Sequence, residues 1–139
     1  MSSASVTVAN DLVGSIDQGL CVLIGITHSD TPAQAKKMAD KIWNLRIFDD
    51  DNGVMNRSVA ETSRQVLVVS QFTLYADTGA GRRPSYVAAA RPEQAEPLVS
   101  LVADELQRLG ATVAAGRFRT EMLVALVNDG PVTVMIDLP

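Results

Sequence analysis

Apolar and polar residues change rhythm several times along this chain, and each rhythm implies an element. Ser5–Ala9 alternates and is rich in β-branched residues; Asn10-Asp11 then supplies a turn before Leu12–Ile16, which together predict a hairpin. Gly19–Thr27 is almost continuously apolar, as expected of a strand covered on both faces. A helix should follow. Thr31 suits the N-cap, Pro32 the first helical position and Gln34 the partner position of a capping box. Ala35, Met38, Ala39, Ile42, Trp43 and Leu45 mark its apolar face. Arg46–Phe48 reads as a short strand closed by the turn-rich Asp49–Gly53. Gln65–Tyr75 is the strongest strand signal, and alternation puts Ser70, Phe72 and Leu74 on one face with Gln71 and Thr73 on the other. Ala76–Pro84 is a glycine-rich basic loop. A second helix runs to about Leu109 with Gly110 as its stop, and its start is contested between Pro92 and Pro97. Thr112–Ala115, Glu121–Val127 and Val132–Leu138 complete the strands, the last two joined through Asn128-Asp129-Gly130-Pro131. Hairpins and crossovers together imply a mixed-sheet α/β domain with helices on one side.

Composition adds limits. The 139 residues are 47% apolar and 20% charged, which is ordinary for one soluble domain spanning 1–139 and incompatible with disorder. Cys21 is the only cysteine, so intramolecular disulfides and cysteine-rich metal sites are excluded. The longest apolar run, Leu20–Ile26, is broken by Gly25 and is too short to span a bilayer. Met1–Asn10 has neither a basic region nor a continuous apolar stretch, so a cytoplasmic location is expected. A net charge of −4 argues against a grip on long nucleic acid, but a single nucleic-acid end needs only a local cationic patch. Arg82 and Arg83 form the best such patch, with Arg91, Arg117 and Arg119 as reinforcements; a merely solubilising role fits them equally well.

The chemistry is sparse. His28 is the only histidine, and nothing in the sequence pairs it with a nucleophile. Asp49–Gly53 lacks the register of a calcium loop, since Val59 stands where its last glutamate belongs. Gly79-Ala80-Gly81 is followed by no Gly-Lys-Ser/Thr and is not a phosphate-binding loop. Two segments carry more information. Ser70-Gln71-Phe72-Thr73 ends an apolar strand in groups that need hydrogen-bond partners, as at a pocket wall or where a strand emerges into solvent. Asn128-Asp129-Gly130-Pro131-Val132-Thr133, between two apolar strands, is the other; as a turn it is ordinary, since Gly tolerates positive φ and Pro fixes its own, and spacing alone implies no special Gly-Pro geometry. Phe118 and Met122 share a face in either a helix or a strand, with core packing as the default. From residues alone the chain is an α/β domain with a polar pocket at one strand end, no self-sufficient acid–base machinery, and no cofactor or metal requirement.

At these same segments the sequence resembles the D-aminoacyl-tRNA deacylase family. The matching stretches are Leu45–Phe48, Gly53–Asn56, Val69–Thr78, Gly81–Ser85, Gly116–Phe118 and Leu126–Thr133, in the same order over nearly the whole chain. The resemblance implies a three-layer α/β/β mixed-sheet subunit and a homodimer with active sites at the interface. It implies hydrolysis of the ester joining a D-amino acid, or mischarged glycine, to the terminal adenosine of tRNA. Gly130-Pro131, in the cis form and inserted from the partner subunit, would hold the α-amino group and exclude the side chain of an L-amino acid. Ser70, Gln71, Phe72 and Thr73 would wall the pocket, with backbone N–H groups as an oxyanion site and Gln71 and Thr73 as the catalytic pair. Thr73 would position rather than attack, the substrate's 2′-hydroxyl assisting water. Phe118 and Met122 match positions that line the pocket, and charge adds Arg82 and Arg83 as contacts to the tRNA end. Relatives carry an extra first strand before the position of Ser2-Ser3-Ala4, so a missing strand, and with it lower stability, is expected here. Two other readings stay open. One is an esterase of small esters using Thr73 or a serine, the other a binding module for aminoacylated tRNA ends without turnover.

Overall fold

A computed structural model describes residues 1–130 and 132–139. Its centre is the strand β6, so the fold is built outward from there. The strands before it are β1 (Ser3–Val8), β2 (Asp11–Ile16), β3 (Gly19–Ile24), β4 (Phe48–Asp49) and β5 (Met55–Arg57), and β6 itself covers Gln65–Ser70. The helices α1 (Pro32–Asn44), α2 (Val59–Thr62) and α3 (Pro92–Leu109) and the strands β7 (Thr112–Ala115) and β8 (Leu123–Val127) complete the elements.

In β6, Val66 to Val69 are all buried, but alternation sends them to different partners. Val66 and Val68 face the helical side, where they join Ile24, Ala35, Ala39, Ile42, Leu98, Val102 and Leu106. Leu67 and Val69 face the other way, onto Ala4, Val6, Val8 and Ile16. The parallel sheet β3-β6-β7 is therefore a middle layer, with α1 and α3 on one face and the antiparallel sheet β2-β1-β8 on the other. This is the expected α/β/β arrangement. The sheets do not close into a barrel, and β4-β5 forms a separate small ladder.

Local rules account for the joints. β1 and β2 form the expected hairpin, though it turns at Ala9 and Asn10, one residue before the predicted Asn10-Asp11; both are at positive φ (48° and 71°), the mirror-image turn that suits twisted strands. Gln34 Oε1 accepts from the Thr31 N–H at 2.6 Å, the capping contact anticipated at the start of α1. Pro92 takes the first turn of α3 and Pro97 sits inside it, one lost hydrogen bond that the buried face formed by Ala95, Leu98, Val99, Val102 and Leu106 outweighs. Gly110 ends α3 at φ 116°, its N–H reaching Leu106 and Gln107 oxygens. At Gly19 the seam between β3 and β6 closes so tightly that a Cβ would stand 1.8 Å from the Gln65 carbonyl oxygen.

Several expectations fail. The Gly19–Thr27 strand stops at Ile24, and Leu23 is 45% exposed, because β3 is an edge strand of its sheet. The short strand expected at Arg46–Phe48 lies at Phe48–Asp49. Gln65–Tyr75 is a strand only to Ser70; Phe72–Tyr75 is a 3₁₀ turn, so the face assignment of Phe72 and Leu74 by alternation does not hold. Val132–Leu138 forms no strand; among its side chains Val132, Ile136 and Leu138 are half-buried, and Gln34 Nε2 donates to the Pro139 oxygen at 3.1 Å. Its alternating pattern is real, but without a neighbouring ladder a two-residue period alone cannot hold a strand. Pro131 lies outside the described residues.

Candidate active site

The site begins where β6 runs out. Ser70 is the last strand residue, and the Gln71 N–H donates to the Ile24 oxygen of β3 at 2.8 Å. That bond is the last link to the neighbouring strand. Beyond it the chain coils into a tight turn: Leu74 N–H returns to the Gln71 oxygen at 3.2 Å and Ala76 N–H to the Thr73 oxygen at 3.0 Å. Gly25 packs closely against the turn: a Cβ there would stand 3.1 Å from Leu74 and Tyr75 side-chain atoms and 3.3 Å from the Gln71 oxygen, a crowding those groups would have to relieve. The first two amides of the turn, Phe72 and Thr73, make no backbone hydrogen bond to the preceding strand, as at any helical first turn.

Within the turn, Gln71 Nε2 donates to Thr73 Oγ1 at 2.5 Å. The direction decides the chemistry. A nucleophilic hydroxyl needs a base that accepts its proton, whereas an amide N–H donated to its oxygen withdraws electron density. Among the described residues, no other side chain bonds Thr73 Oγ1. His28, the only histidine, is exposed and spends Nε2 on the Val87 oxygen at 2.6 Å. Tyr75 closes the turn with its phenol pushed above its ordinary range by burial, and further by Asp30 and Asp137, so it stays protonated at neutral pH.

On the helical side of Ser70 lies a cavity of about 240 Å³. Val68, Val99, Val113, Phe118 and Met122 supply its apolar lining, and Ser70 lines it from the end of β6. The structure thus brings Ser70, Phe118 and Met122 together and leaves Gln71 and Thr73 on the adjoining turn, Phe72 exposed at its outer side, and Arg82 and Arg83 on an exposed loop. Gly130 is exposed beyond β8 and does not line the cavity; its partner in the predicted pair, Pro131, lies outside the described residues. A Cβ on Gly130 would stand 2.5 Å from the Val132 nitrogen, so the site admits only glycine without a backbone shift.

Sequence reading missed the opposite wall, made by Glu96, Ser100, Asp104 and Gln107 of α3. These four share the exposed side of α3, away from its buried face, so in the sequence they read as an ordinary solvated stripe at helical spacing. It also missed Tyr86, whose ring meets Phe72 edge to face at 5.3 Å. No spacing rule links residues across a loop. Among the described residues, no group of three or more His, Cys, Asp or Glu side chains is placed to hold a metal ion, and no helix is long and apolar enough to cross a membrane.

The chain matches the family profile described as D-Tyr-tRNA(Tyr) deacylase over residues 1–137. A D-aminoacyl-tRNA deacylase of Roseiflexus sp. (strain RS-1) is 56% identical over 137 residues, covering 99% of this chain and 88% of the relative. One from Brevibacillus brevis is 56% identical over 134 residues, covering 96% and 92%. Among solved structures, one named "c-Myc DNA Unwinding Element Binding Protein" superposes with a TM-score of 0.93 at 36% identity, covering 99% of this chain and 94% of that one. Another, "Structural Analysis of a probable eukaryotic D-amino acid tRNA deacylase", gives 0.79 at 15% identity, covering 94% and 91%, a likeness of fold.

Proposed function

Because this chain belongs to the D-Tyr-tRNA(Tyr) deacylase family, we propose that it hydrolyses the ester between a D-amino acid and the terminal adenosine of tRNA. It is a carboxylic ester hydrolase of the D-aminoacyl-tRNA deacylase class, and its substrate is an aminoacylated tRNA. The observation that carries the mechanism is the Gln71-to-Thr73 hydrogen bond, with no side-chain base at Thr73 among the described residues.

In this mechanism the protein positions and the substrate supplies the reactive groups. Water attacks the ester carbonyl, the ribose 2′-hydroxyl assisting. The carbonyl oxygen gains negative charge and takes hydrogen bonds from the Phe72 and Thr73 amides, which the turn leaves unspent. The Gln71 N–H, spent on Ile24, is not part of that pair. Collapse of the tetrahedral species breaks the ester bond, returns a proton to the departing 3′-oxygen and releases free tRNA and the amino acid.

Discrimination between mirror images needs a wall rather than an attraction, because enantiomers carry identical functional groups. The Gly130-Pro131 pair, lent by a second copy of the chain, serves as that wall: its carbonyls hold the α-amino group and close the side on which an L side chain would project. Mischarged glycine, lacking a side chain, passes the same filter. A homodimer is favoured by β8, whose outer edge is open and whose five residues are all exposed although all are apolar.

The deciding experiment follows deacylation of tRNA carrying D-tyrosine, L-tyrosine or glycine, with sedimentation of the same sample. Rapid release of D-tyrosine and glycine, and persistence of L-tyrosyl-tRNA, are expected from a dimeric species. Equal rates on both enantiomers would end the proposal.

A further inference from the structure

Next to the Gln71–Thr73 turn, an aromatic surface stands open to solvent. Phe72 is 54% and Tyr86 41% exposed, yet their rings pack edge to face with planes at 70°. Leu74 and Val87 beside them are exposed as well. This surface is held in place. Asp77 and Ser85 exchange backbone hydrogen bonds of 2.7 and 2.8 Å, pinning the root of the loop between them. Tyr86 follows directly on Ser85. The next residues are tied in turn: the His28 ring to the Val87 oxygen at 2.6 Å, and Thr27 Oγ1 to the Ala88 oxygen at 2.6 Å. Arg82 and Arg83 lie inside the pinned loop, exposed, and neither forms an ion pair with a carboxylate among the described residues.

We propose that Tyr86, with Phe72, is a stacking platform for the unpaired nucleotides that precede the esterified adenosine, and that Arg82 and Arg83 take the phosphates between them. The inference rests on the aminoacyl-tRNA reading above and adds to it where the rest of the RNA end runs. Three properties select a single-stranded nucleic acid as the occupant. A pinned aromatic pair presents ring surface at little entropic cost, and any base can stack on it. Unpaired guanidinium groups fork onto phosphate oxygens. The chain as a whole carries −4, so this loop is where a polyanion meets favourable potential. Stacking and phosphate contacts read no base identity, so the platform accepts different tRNAs alike.

The test compares 3′ D-tyrosyl esters of adenosine, CpA and CpCpA. For the unaltered protein, kcat/KM should rise about tenfold or more from adenosine to CpCpA. Tyr86→Ala should flatten that ratio to within about threefold and Tyr86→Phe should restore it. Using a ratio removes any general damage to the fold. A flat ratio in the unaltered protein, or a steep one kept by Tyr86→Ala, overturns the platform. A steep ratio kept by Tyr86→Ala together with a changed sedimentation coefficient would assign the patch to contacts between copies instead. If none of the esters is cleaved, the deacylase reading itself has failed. Fluorescence anisotropy of labelled CpCpA then decides the platform separately: binding lost in Tyr86→Ala supports it, and absent or unaltered binding overturns it.

Discussion

Replacing Thr73 by alanine separates a positioning hydroxyl from a nucleophile by magnitude. The substitution removes one hydrogen bond, the 2.5 Å contact from Gln71 Nε2, between two half-buried side chains. A neutral hydrogen bond of this kind contributes about 0.5–1.5 kcal/mol net. At about 1.4 kcal/mol per factor of ten, kcat/KM should fall roughly 2- to 13-fold. Loss of a true nucleophile would instead cost on the order of 10⁴-fold or more. The two expectations are three decades apart, so ordinary error cannot blur them. The assay is deacylation of D-tyrosyl-tRNA at several substrate concentrations, with circular dichroism and a thermal melt on the same preparation. Thr73→Ser, which keeps the acceptor oxygen, should stay close to the unaltered enzyme. A loss beyond about 10³-fold in a folded Thr73→Ala protein, rescued by serine, would refute the reasoning, as would a covalent aminoacyl adduct on Thr73.

Leu67 is fully buried between the two sheets, so Leu67→Ala should lower unfolding free energy by about 2–5 kcal/mol, read from urea denaturation. A loss under 1 kcal/mol would mean that the sheet interface is looser than described. Gly130→Ala forces a Cβ against the Val132 nitrogen, and a displacement of that size at the clamp should cut D-tyrosyl-tRNA turnover by about 10²-fold; an unchanged rate would remove Gly130 from the mechanism. Arg82→Ala with Arg83→Ala should make the salt dependence of tRNA binding shallower by about 1.4 in the log–log slope, since each phosphate contact on a single strand contributes about 0.7. An identical slope would leave both arginines as solvated surface.

Much of the scaffold was legible because it rests on local chemistry. The Thr31–Gln34 cap, the Gly110 stop and the hairpin between β1 and β2 each need only residues close in sequence. The buried run Val66–Val69 announced the central strand, although only the layers around it show that alternate residues serve different cores. Ser70, Phe118 and Met122 were named on motif grounds, and the cavity unites them. What escaped was set by distant partners. The strand reading of Phe72–Tyr75 failed because the chain there turns against the segment just after β3, where Gly25 leaves room for it. Val132–Leu138 has a strand's pattern, but a ladder must come from elsewhere in space. Tyr86 and the polar stripe of α3 became visible only once a loop and a helix were placed against the end of β6.

The tight backbone approach at Gly19 and Gln65 also restricts how this sequence can drift. Every other residue type adds at least one carbon, and that carbon would fall on a carbonyl oxygen of the strand that ends at Ser70. A saturation library across 17–19 should therefore keep only synonymous codons at 19, while the exposed Asp17 and Gln18 accept many replacements. A replacement at 19 would act on the pocket at a distance, by pushing on the strand that carries Val68 and Ser70 to it.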